Sequence, residues 1–142
     1  MPRFPIHAIA VLLALPFVGC NSSGVYPVEG LVVWKKDGSP AKELAGTLVF
    51  FDQPEKRLSA RGQVQSDGSF RLETKKPNDG APVGENVVVL VEIGRKPLGG
   101  PDSTLLAPGK IDSRYSTHTT TDLSATIKPG VNKVQLEVEP PK

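Results

Sequence analysis

The sequence is poor in the residues that build covalent and metal-binding sites. Among its 142 residues it has one cysteine and two histidines, and aromatic residues make up 6% of the chain. One cysteine cannot form an internal disulfide, and a zinc site needs three or four suitably placed ligands, most often histidine or cysteine. These shortages exclude a disulfide scaffold and a zinc site built from cysteine and histidine alone.

Neither sign of charge is in large excess. Lysine and arginine total 17 against 15 for aspartate and glutamate, which gives a formal net charge of +2. A nucleic-acid binder normally has a far larger basic excess on one face, so we expect no nucleic-acid partner. The 14 glycines and 14 prolines show no triplet period and leave little room for long helices, which argues against a collagen-like or a helical protein.

The first twenty residues have the pattern of an export signal. Arg3 and the amino terminus are followed by an unbroken apolar run from Ala8 to Leu15. A helix needs roughly 20 apolar residues to cross a hydrocarbon layer about 30 Å thick, so this run is too short to be an anchor. We therefore interpret residues 1–19 as a secretory signal peptide.

The apolar run closes on Gly19 and Cys20, and the chain then becomes polar at once. This pattern resembles the lipobox of bacterial lipoproteins. The resemblance implies cleavage between Gly19 and Cys20 and fatty acylation, of the palmitate type, on Cys20. The alternative is an ordinary signal peptide that ends near a structural cysteine. The lipobox predicts an exported bacterial lipoprotein, and it leaves open which membrane holds the anchor.

Beyond Cys20 the sequence has the pattern of short β-strands separated by turns. No window of eleven residues carries apolar groups at helical spacing without a glycine or a proline. We therefore predict an all-β fold, a single β-sandwich of about seven strands over residues 28–139, with residues 20–27 as the lipidated cysteine and tether. The runs that indicate strands are rich in β-branched and aromatic residues and lie at 28–34, 47–51, 63–65, 69–73, 87–93, 124–127 and 131–138.

Three connections are recognised by their turn residues. Asp67-Gly68 is typical of a type I′ hairpin turn, in which both central residues have positive φ. Pro129-Gly130 is expected to be the turn between the last two strands. The segment Gly94–Thr121 holds several Pro and Gly residues and is too long for a tight turn, so we expect an exposed excursion over one end of the sandwich.

The order of these short motifs is similar to that of a carboxypeptidase regulatory-like domain, a transthyretin-type (prealbumin-like) β-sandwich. It is also similar to the small lipoproteins of this type in planctomycete bacteria. The resemblance covers about 110 residues and implies that fold, together with the absence of catalytic residues. The residues that carry it are Val28, Gly30, Val32, Asp37-Gly38, Pro40, Val49, Phe51, Ser66–Phe70, Leu72, Gly80–Gly84, Arg114-Tyr115, Thr121, Leu123, Gly130 and Asn132.

No group of residues has the spacing of a catalytic or metal site. The Asp-Gly pairs at 37–38, 67–68 and 79–80 lack the further oxygen ligands of a calcium loop, and turn chemistry explains each of them. We therefore expect no catalytic residues, no metal and no cofactor. Trp34, Tyr115 and His118 form a candidate ligand surface, although core packing is the favoured interpretation of Trp34 and Tyr115.

These observations predict a non-catalytic, lipid-anchored cell-envelope domain that acts in binding, adhesion or scaffolding. Its expected partners are the membrane, through lipid on Cys20, and an envelope protein or glycan that the sequence does not identify. The alternative is a small-ligand or carbohydrate carrier that uses the end of the sandwich near Gly94–Thr121. A hydrolase would have to depend on His118 or on paired carboxylates. The oligomeric state is not indicated.

Overall fold

The computed structural model describes residues 24–142, so the predicted signal peptide and Cys20 lie outside the described residues. The described chain forms short strands, with three single-turn 3-10 helices at Lys42–Leu44, Pro54–Lys56 and Ser113–Ser116. The prediction of an all-β fold is confirmed. The strands are β1 (Val25–Tyr26), β2 (Val28–Trp34), β3 (Leu48–Gln53), β4 (Leu58–Gln63), β5 (Ser69–Glu73), β6 (Ala81–Pro82), β7 (Gly84–Val91), β8 (Ser124–Ile127) and β9 (Asn132–Val138).

Seven of the strands form one nearly closed sheet in the order β8-β7-β3-β4-β5-β2-β9. Neighbours are antiparallel except β2 and β9, which are parallel over their whole length. The residues Val25 and Tyr26, which lie within the predicted tether, pair with β6 in a separate two-stranded sheet. The Pro129-Gly130 turn connects β8 to β9 without forming a hairpin, because β9 pairs with β2 and not with β8.

One end of the sheet lies next to the first described residues, and this distinguishes it from the other end. The backbone N–H of Val83 donates to the Gly24 carbonyl at 2.8 Å, and that of Asn132 donates to the Pro27 carbonyl at 2.9 Å. We call this the proximal end, formed by residues 24–27, 54–57, 74–83 and 128–131. The opposite, distal end is formed by residues 35–47, 64–68, 92–112 and 139–142.

The core follows from alternation along the strands. In β3, Val49, Phe51 and Gln53 are buried, while the residues between them are only partly covered and lie on the outer face. Because successive side chains of a strand point to opposite faces, one face of each strand fills the interior. The largest fully buried side chains are Tyr115, Phe51, Phe70, Leu44, Leu72, Leu90, Ile127 and Leu136.

A glycine on β2 makes room for an aromatic ring on β5. Gly30 is paired with Phe70, and a Cβ placed on Gly30 would lie 2.0 Å from Cζ of the Phe70 ring. The ring therefore lies directly on the glycine backbone. Phe70 also packs against Phe51 with ring centroids 6.1 Å apart and a tilt of 58°, which joins the two halves of the core.

The segment before β8 completes the sheet. β8 pairs only with Gly84–Val87, which leaves the distal half of β7 without a strand on that side. The N–H of Val88 donates instead to the Leu123 carbonyl at 3.0 Å, and the Thr121 hydroxyl donates to the Val88 carbonyl at 2.8 Å. The predicted exposed excursion is therefore wrong at Ile111 and Tyr115, which belong to the core, whereas residues 116–120 are exposed as expected.

Tyr115 connects this closing segment to the end of β9. The Glu139 N–H donates to the Tyr115 hydroxyl at 3.1 Å, and Arg114 donates to the same hydroxyl at 2.7 Å. Arg114 also pairs with the Glu139 carboxylate, and its guanidinium lies 4.8 Å from the centroid of the Tyr115 ring. The hydrogen bond from Arg114 holds the pKa of the Glu139 carboxyl below its usual value. Together with the bonds of Thr121 and Leu123 to Val88, these contacts join β7 to β9 where no strand pairing does.

The Asp67-Gly68 turn differs in type from the expectation. Gly68 has φ 86°, as expected, but Asp67 has no positive φ, so the turn is not type I′. The Gly68 N–H donates to the Gln65 carbonyl at 3.0 Å, and the Gln65 N–H donates to the Ser69 carbonyl at 2.7 Å. This is a three-residue loop with Gly in the left-handed position, the next most common hairpin connection. Asp67 also accepts from the N–H and the hydroxyl of Ser69, and these bonds lower its pKa.

We expect Gly30→Ala to destabilise the protein by about 1–3 kcal/mol, because the added methyl group would displace the Phe70 ring in a packed core. Glu29→Ala, at the neighbouring exposed position, serves as the control and should change stability by less than about 0.5 kcal/mol. Urea unfolding of the two variants measures the difference. Equal midpoints for both would show that the ring does not depend on the glycine.

Candidate functional site

The structure places the three residues of the predicted ligand surface in different surroundings. Trp34, at the distal end of β2, packs partly against the core, and its indole N–H donates to Glu43 at 3.2 Å. Tyr115 is 1% exposed, so its ring offers no surface to a ligand. His118 lies on the outside of the sheet. No hydrogen bond or ring contact within residues 24–142 joins any two of the three.

His118 lies against a carboxylate on β3. Its Nε2 is 2.6 Å from Oδ2 of Asp52, and the Ser59 hydroxyl donates to the other oxygen of the same carboxylate. In a serine hydrolase the histidine stands between serine and aspartate, so that it can take the serine proton. Here Asp52 stands between Ser59 and His118, so the imidazole does not contact the Ser59 hydroxyl and the serine–histidine contact of a triad is not formed by these residues.

The Asp52 group is part of a larger outer face formed by β4, β3 and β7. The register pairs Asp52 with Ser59 and Val87, and it pairs Phe50 with Arg61 and Val89 in the adjacent row. A third row holds Gln63, Leu48 and Val91. Phe50 is only half-buried on this face, so an aromatic ring lies at the centre of the outer surface.

A cleft opens beside Phe50 because β4 and β5 diverge. They pair only through Arg61 with Glu73 and Gly62 with Leu72, and Gly62 comes so close that a Cβ on it would lie 2.1 Å from the Arg71 carbonyl oxygen. The resulting cleft has a volume of about 380 Å³. Its apolar wall consists of Leu48, Phe50 and Leu72, and its polar groups come from Arg61, Gln63, Arg71, Glu73 and Asn78.

A second cleft of about 570 Å³ adjoins the first and shares Phe50, Arg61 and Glu73 with it. It runs toward Lys75 and Lys76 at the proximal end. The outer face of β3 and β4 therefore offers one aromatic ring that lines two adjoining clefts.

The charges at this face are predominantly positive and only partly neutralised. Arg61 pairs with Glu73 at 3.2 Å, and both side chains are exposed. The Arg71 guanidinium is exposed, and no ion pair or side-chain hydrogen bond within the described chain engages it. An arginine with free donors recognises carboxylate, sulfate or phosphate through two parallel hydrogen bonds.

The loop that carries Asn78 is fixed by Asp79. Its carboxylate accepts hydrogen bonds from the backbone N–H groups of Thr74, Lys75 and Lys76 at 2.6, 3.0 and 3.0 Å. Partial burial raises the pKa of Asp79, but the three N–H bonds together outweigh it and hold that pKa below its usual value. Asp79 is therefore occupied within its own loop, as the turn interpretation of Asp79-Gly80 expects.

The arrangement is suited to binding a ligand that has both an apolar face and a negative charge. An aromatic wall with a few convergent polar groups is typical of ligand clefts. Among residues 24–142, no group of three or more His, Cys, Asp and Glu side chains could hold a metal ion. The sequence analysis missed Phe50, Arg61 and Arg71. The signal was available in the alternation of 48–53, which places Phe50 on the face opposite Val49 and Phe51.

In comparisons with protein families, curated proteins and solved structures, nothing matches this chain. Over residues 24–142, no helix has the length and apolar character that crossing a membrane requires. Inference about function therefore depends on the chemistry of the chain's own residues.

We expect His118→Ala to lower the free energy of unfolding by less than about 1 kcal/mol, because the His118 side chain is 51% exposed and exposed ion pairs contribute little. Tyr115→Phe is the contrasting variant. It removes a buried hydroxyl that two donors share, and it should cost about 1–3 kcal/mol. Urea unfolding measures both. A larger loss for His118→Ala than for Tyr115→Phe, or an esterase activity that His118→Ala abolishes, would contradict a peripheral role for His118.

Proposed function

We propose that this chain is an exported bacterial lipoprotein, held on a membrane by lipid on Cys20, whose β-domain is a non-catalytic binding module of the cell envelope. The observation that carries the binding role is the Phe50 cleft, with its free Arg71 guanidinium, on the outer face of a rigid sheet. The order of Ser59, Asp52 and His118 supports binding over hydrolysis. Phosphate-loop and zinc-site patterns are lacking in the sequence as well.

We further propose that the domain is a carboxypeptidase regulatory-like, transthyretin-type β-sandwich. The support is the order of the motifs in the sequence together with a nearly closed seven-stranded sheet in which only β2 and β9 are parallel. In that interpretation β2, β5 and β9 form one layer and β3, β4, β7 and β8 form the other, since β4 and β5 share only two paired positions.

An acidic glycan is the ligand class that the cleft favours. A sugar ring has an apolar face that can lie on the Phe50 ring, while the Asn78 amide and the Gln63 Oε1 can hydrogen-bond its hydroxyls; the Gln63 Nε2 already donates to the Gly46 carbonyl at 3.1 Å. The guanidinium of Arg71 can hold a carboxylate or a sulfate. This keeps the carbohydrate-binding alternative of the sequence analysis but moves it from Gly94–Thr121 to the outer face of β3–β5.

We expect the domain to bind an oligogalacturonate or a sulfated oligosaccharide, and Arg71→Gln to weaken that binding at least about fivefold. Lys133→Gln is the matched control. Lys133 and Arg71 both pair with Glu29 in the sheet, and each substitution removes one positive charge. Lys133, however, lies outside the cleft. Calorimetric titration of the purified protein measures the affinities.

Phe50→Ala tests the aromatic wall in the same titration, and we expect it also to weaken binding at least about fivefold. Equal losses for Arg71→Gln and Lys133→Gln would indicate general charge attraction and contradict a specific cleft. Binding that shifts with variants in residues 94–108, and not with Arg71 or Phe50, would return the site to the predicted excursion.

We expect Cys20→Ala to move the protein from the membrane fraction to the soluble fraction, because the cysteine sulfur is the only attachment point for the diacylglycerol and the apolar run is too short to span. Ser22→Ala, two residues further along, is the control and should leave fractionation unchanged. Incorporation of a labelled fatty acid gives a second measurement. Label that persists on the Cys20→Ala protein would contradict the anchor.

A further inference from the structure

The topology gathers basic residues at the proximal end. In its four segments there are five basic side chains and two acidic ones, Glu55 and Asp79. Asp79 is already engaged by three backbone N–H groups of its own loop. The five basic residues come from three separate connections and are Lys56, Arg57, Lys75, Lys76 and Lys128.

These five cations are free to meet an outside partner. All of them are exposed, and none forms an ion pair with any residue from 24 to 142. Apolar side chains lie among them, since Val83 is 38% exposed, Val131 is 67% exposed and Leu58, at the start of β4, is 37% exposed. Basic groups interspersed with exposed apolar groups are typical of a protein surface that lies against anionic lipid.

The distal end has a different charge balance. Its segments contain seven basic and seven acidic residues, and Lys35 there pairs with Glu139 at 3.4 Å. It also exposes apolar side chains, among them Leu105 at 68%. The two ends therefore differ in net charge and not in the presence of exposed apolar groups.

The position of the proposed anchor selects between the ends. Cys20 and Val25 are five residues apart, which corresponds to at most about 18 Å of extended chain. Acyl chains on Cys20 would thus hold the proximal end close to the lipid headgroups, where each Lys or Arg near an anionic surface adds to the attraction. β7 has eight residues, so the distal end lies about 26 Å from the proximal end along that strand.

We propose that the proximal end is a membrane-contacting surface that rests on anionic phospholipid, so that the strands point away from the bilayer. This inference rests on the proposed anchor at Cys20. Lys56, Arg57 and Lys128 attract the headgroups, and Val83 and Val131 enter the interface between them. The contact fixes the height and orientation of the Phe50 cleft, which lies on the side of the sheet.

The orientation can be measured with single tryptophans in the full chain. Trp34 is the only tryptophan in the sequence, so a Trp34→Phe background removes the native signal. Val131→Trp then reports on the proximal end and Leu105→Trp on the distal end, at sites that are 67% and 68% exposed in the original chain. Each protein is purified from bacterial membranes and reconstituted in phosphatidylethanolamine vesicles, with or without phosphatidylglycerol, that contain brominated lipid as a quencher.

Charge-reversal variants test the role of the basic residues. The proximal variant is Lys56→Glu, Arg57→Glu and Lys128→Glu in the Val131→Trp protein. The matched control is Lys36→Glu, Lys42→Glu and Lys96→Glu in the same protein, since these three exposed distal lysines give the same change in net charge. Thermal unfolding of both variants verifies that they fold, and mass spectrometry of the amino-terminal peptide reports acylation of Cys20 in each sample.

We expect lipid quenching of Val131→Trp in vesicles with phosphatidylglycerol, and little quenching of Leu105→Trp. The proximal reversal should reduce the Val131→Trp quenching at least about fivefold, whereas the distal reversal should leave it unchanged. Equal quenching of the two reporters, or quenching that does not depend on phosphatidylglycerol, would overturn the proposal. If the purified chain carries no acyl groups, it is added to preformed vesicles instead. The quenching of Val131→Trp and Leu105→Trp is then compared in the same way and tests the lipid contact. The missing acylation contradicts only the proposed anchor at Cys20.

Discussion

The hydroxyl of Tyr115 joins parts of the sheet that no strand pairing connects. The two terminal strands β8 and β9 do not pair, and β8 covers only half of β7. The closing segment bonds to β7 through Thr121 and Leu123, and it places Tyr115 where the phenol accepts hydrogen bonds from the Glu139 N–H and from the neighbouring Arg114. Because the ring is buried, these bonds are shielded from competing water. The closure holds β7 and β9 relative to each other, and β7 pairs directly with β3, the strand that carries Phe50.

Local patterns were enough to predict the all-β class and most strand positions, since alternation and turn residues act over a few residues. The parallel pairing of β9 with β2 could not be predicted, because it joins segments about 100 residues apart and the Pro129-Gly130 turn does not indicate which strand β9 pairs with. Core packing of Tyr115 was the favoured interpretation and is confirmed, but its contact with Glu139 at the end of β9 depends on the same long-range closure and could not be predicted. The cleft was missed because the divergence of β4 from β5 at Gly62 is a tertiary feature that no local pattern encodes.

Some charged side chains of the domain have hydrogen-bond or ion-pair partners within it, and others have none. Asp67 and Asp79 are satisfied within their turns, and Glu139 is satisfied at the closure. Arg71 and the proximal basic residues have no internal partner in the described chain. In our proposal the first set maintains the fold, Arg71 meets an acidic ligand at the side of the sheet, and the proximal set meets anionic lipid. The proximal end would then bind the membrane, and the outer face of β3–β5 would bind the acidic ligand.

The central claim is that ligand binds on the outer face of β3–β5, on a scaffold that does not rearrange. Backbone hydrogen exchange of the full chain, measured with and without an oligogalacturonate, tests this directly, because exchange reports local opening at each segment. We expect added protection confined to residues 48–53, 58–63 and 69–79, with the segment around Tyr115 unchanged. Protection confined to residues 94–110, or spread evenly over the domain, would contradict the claim.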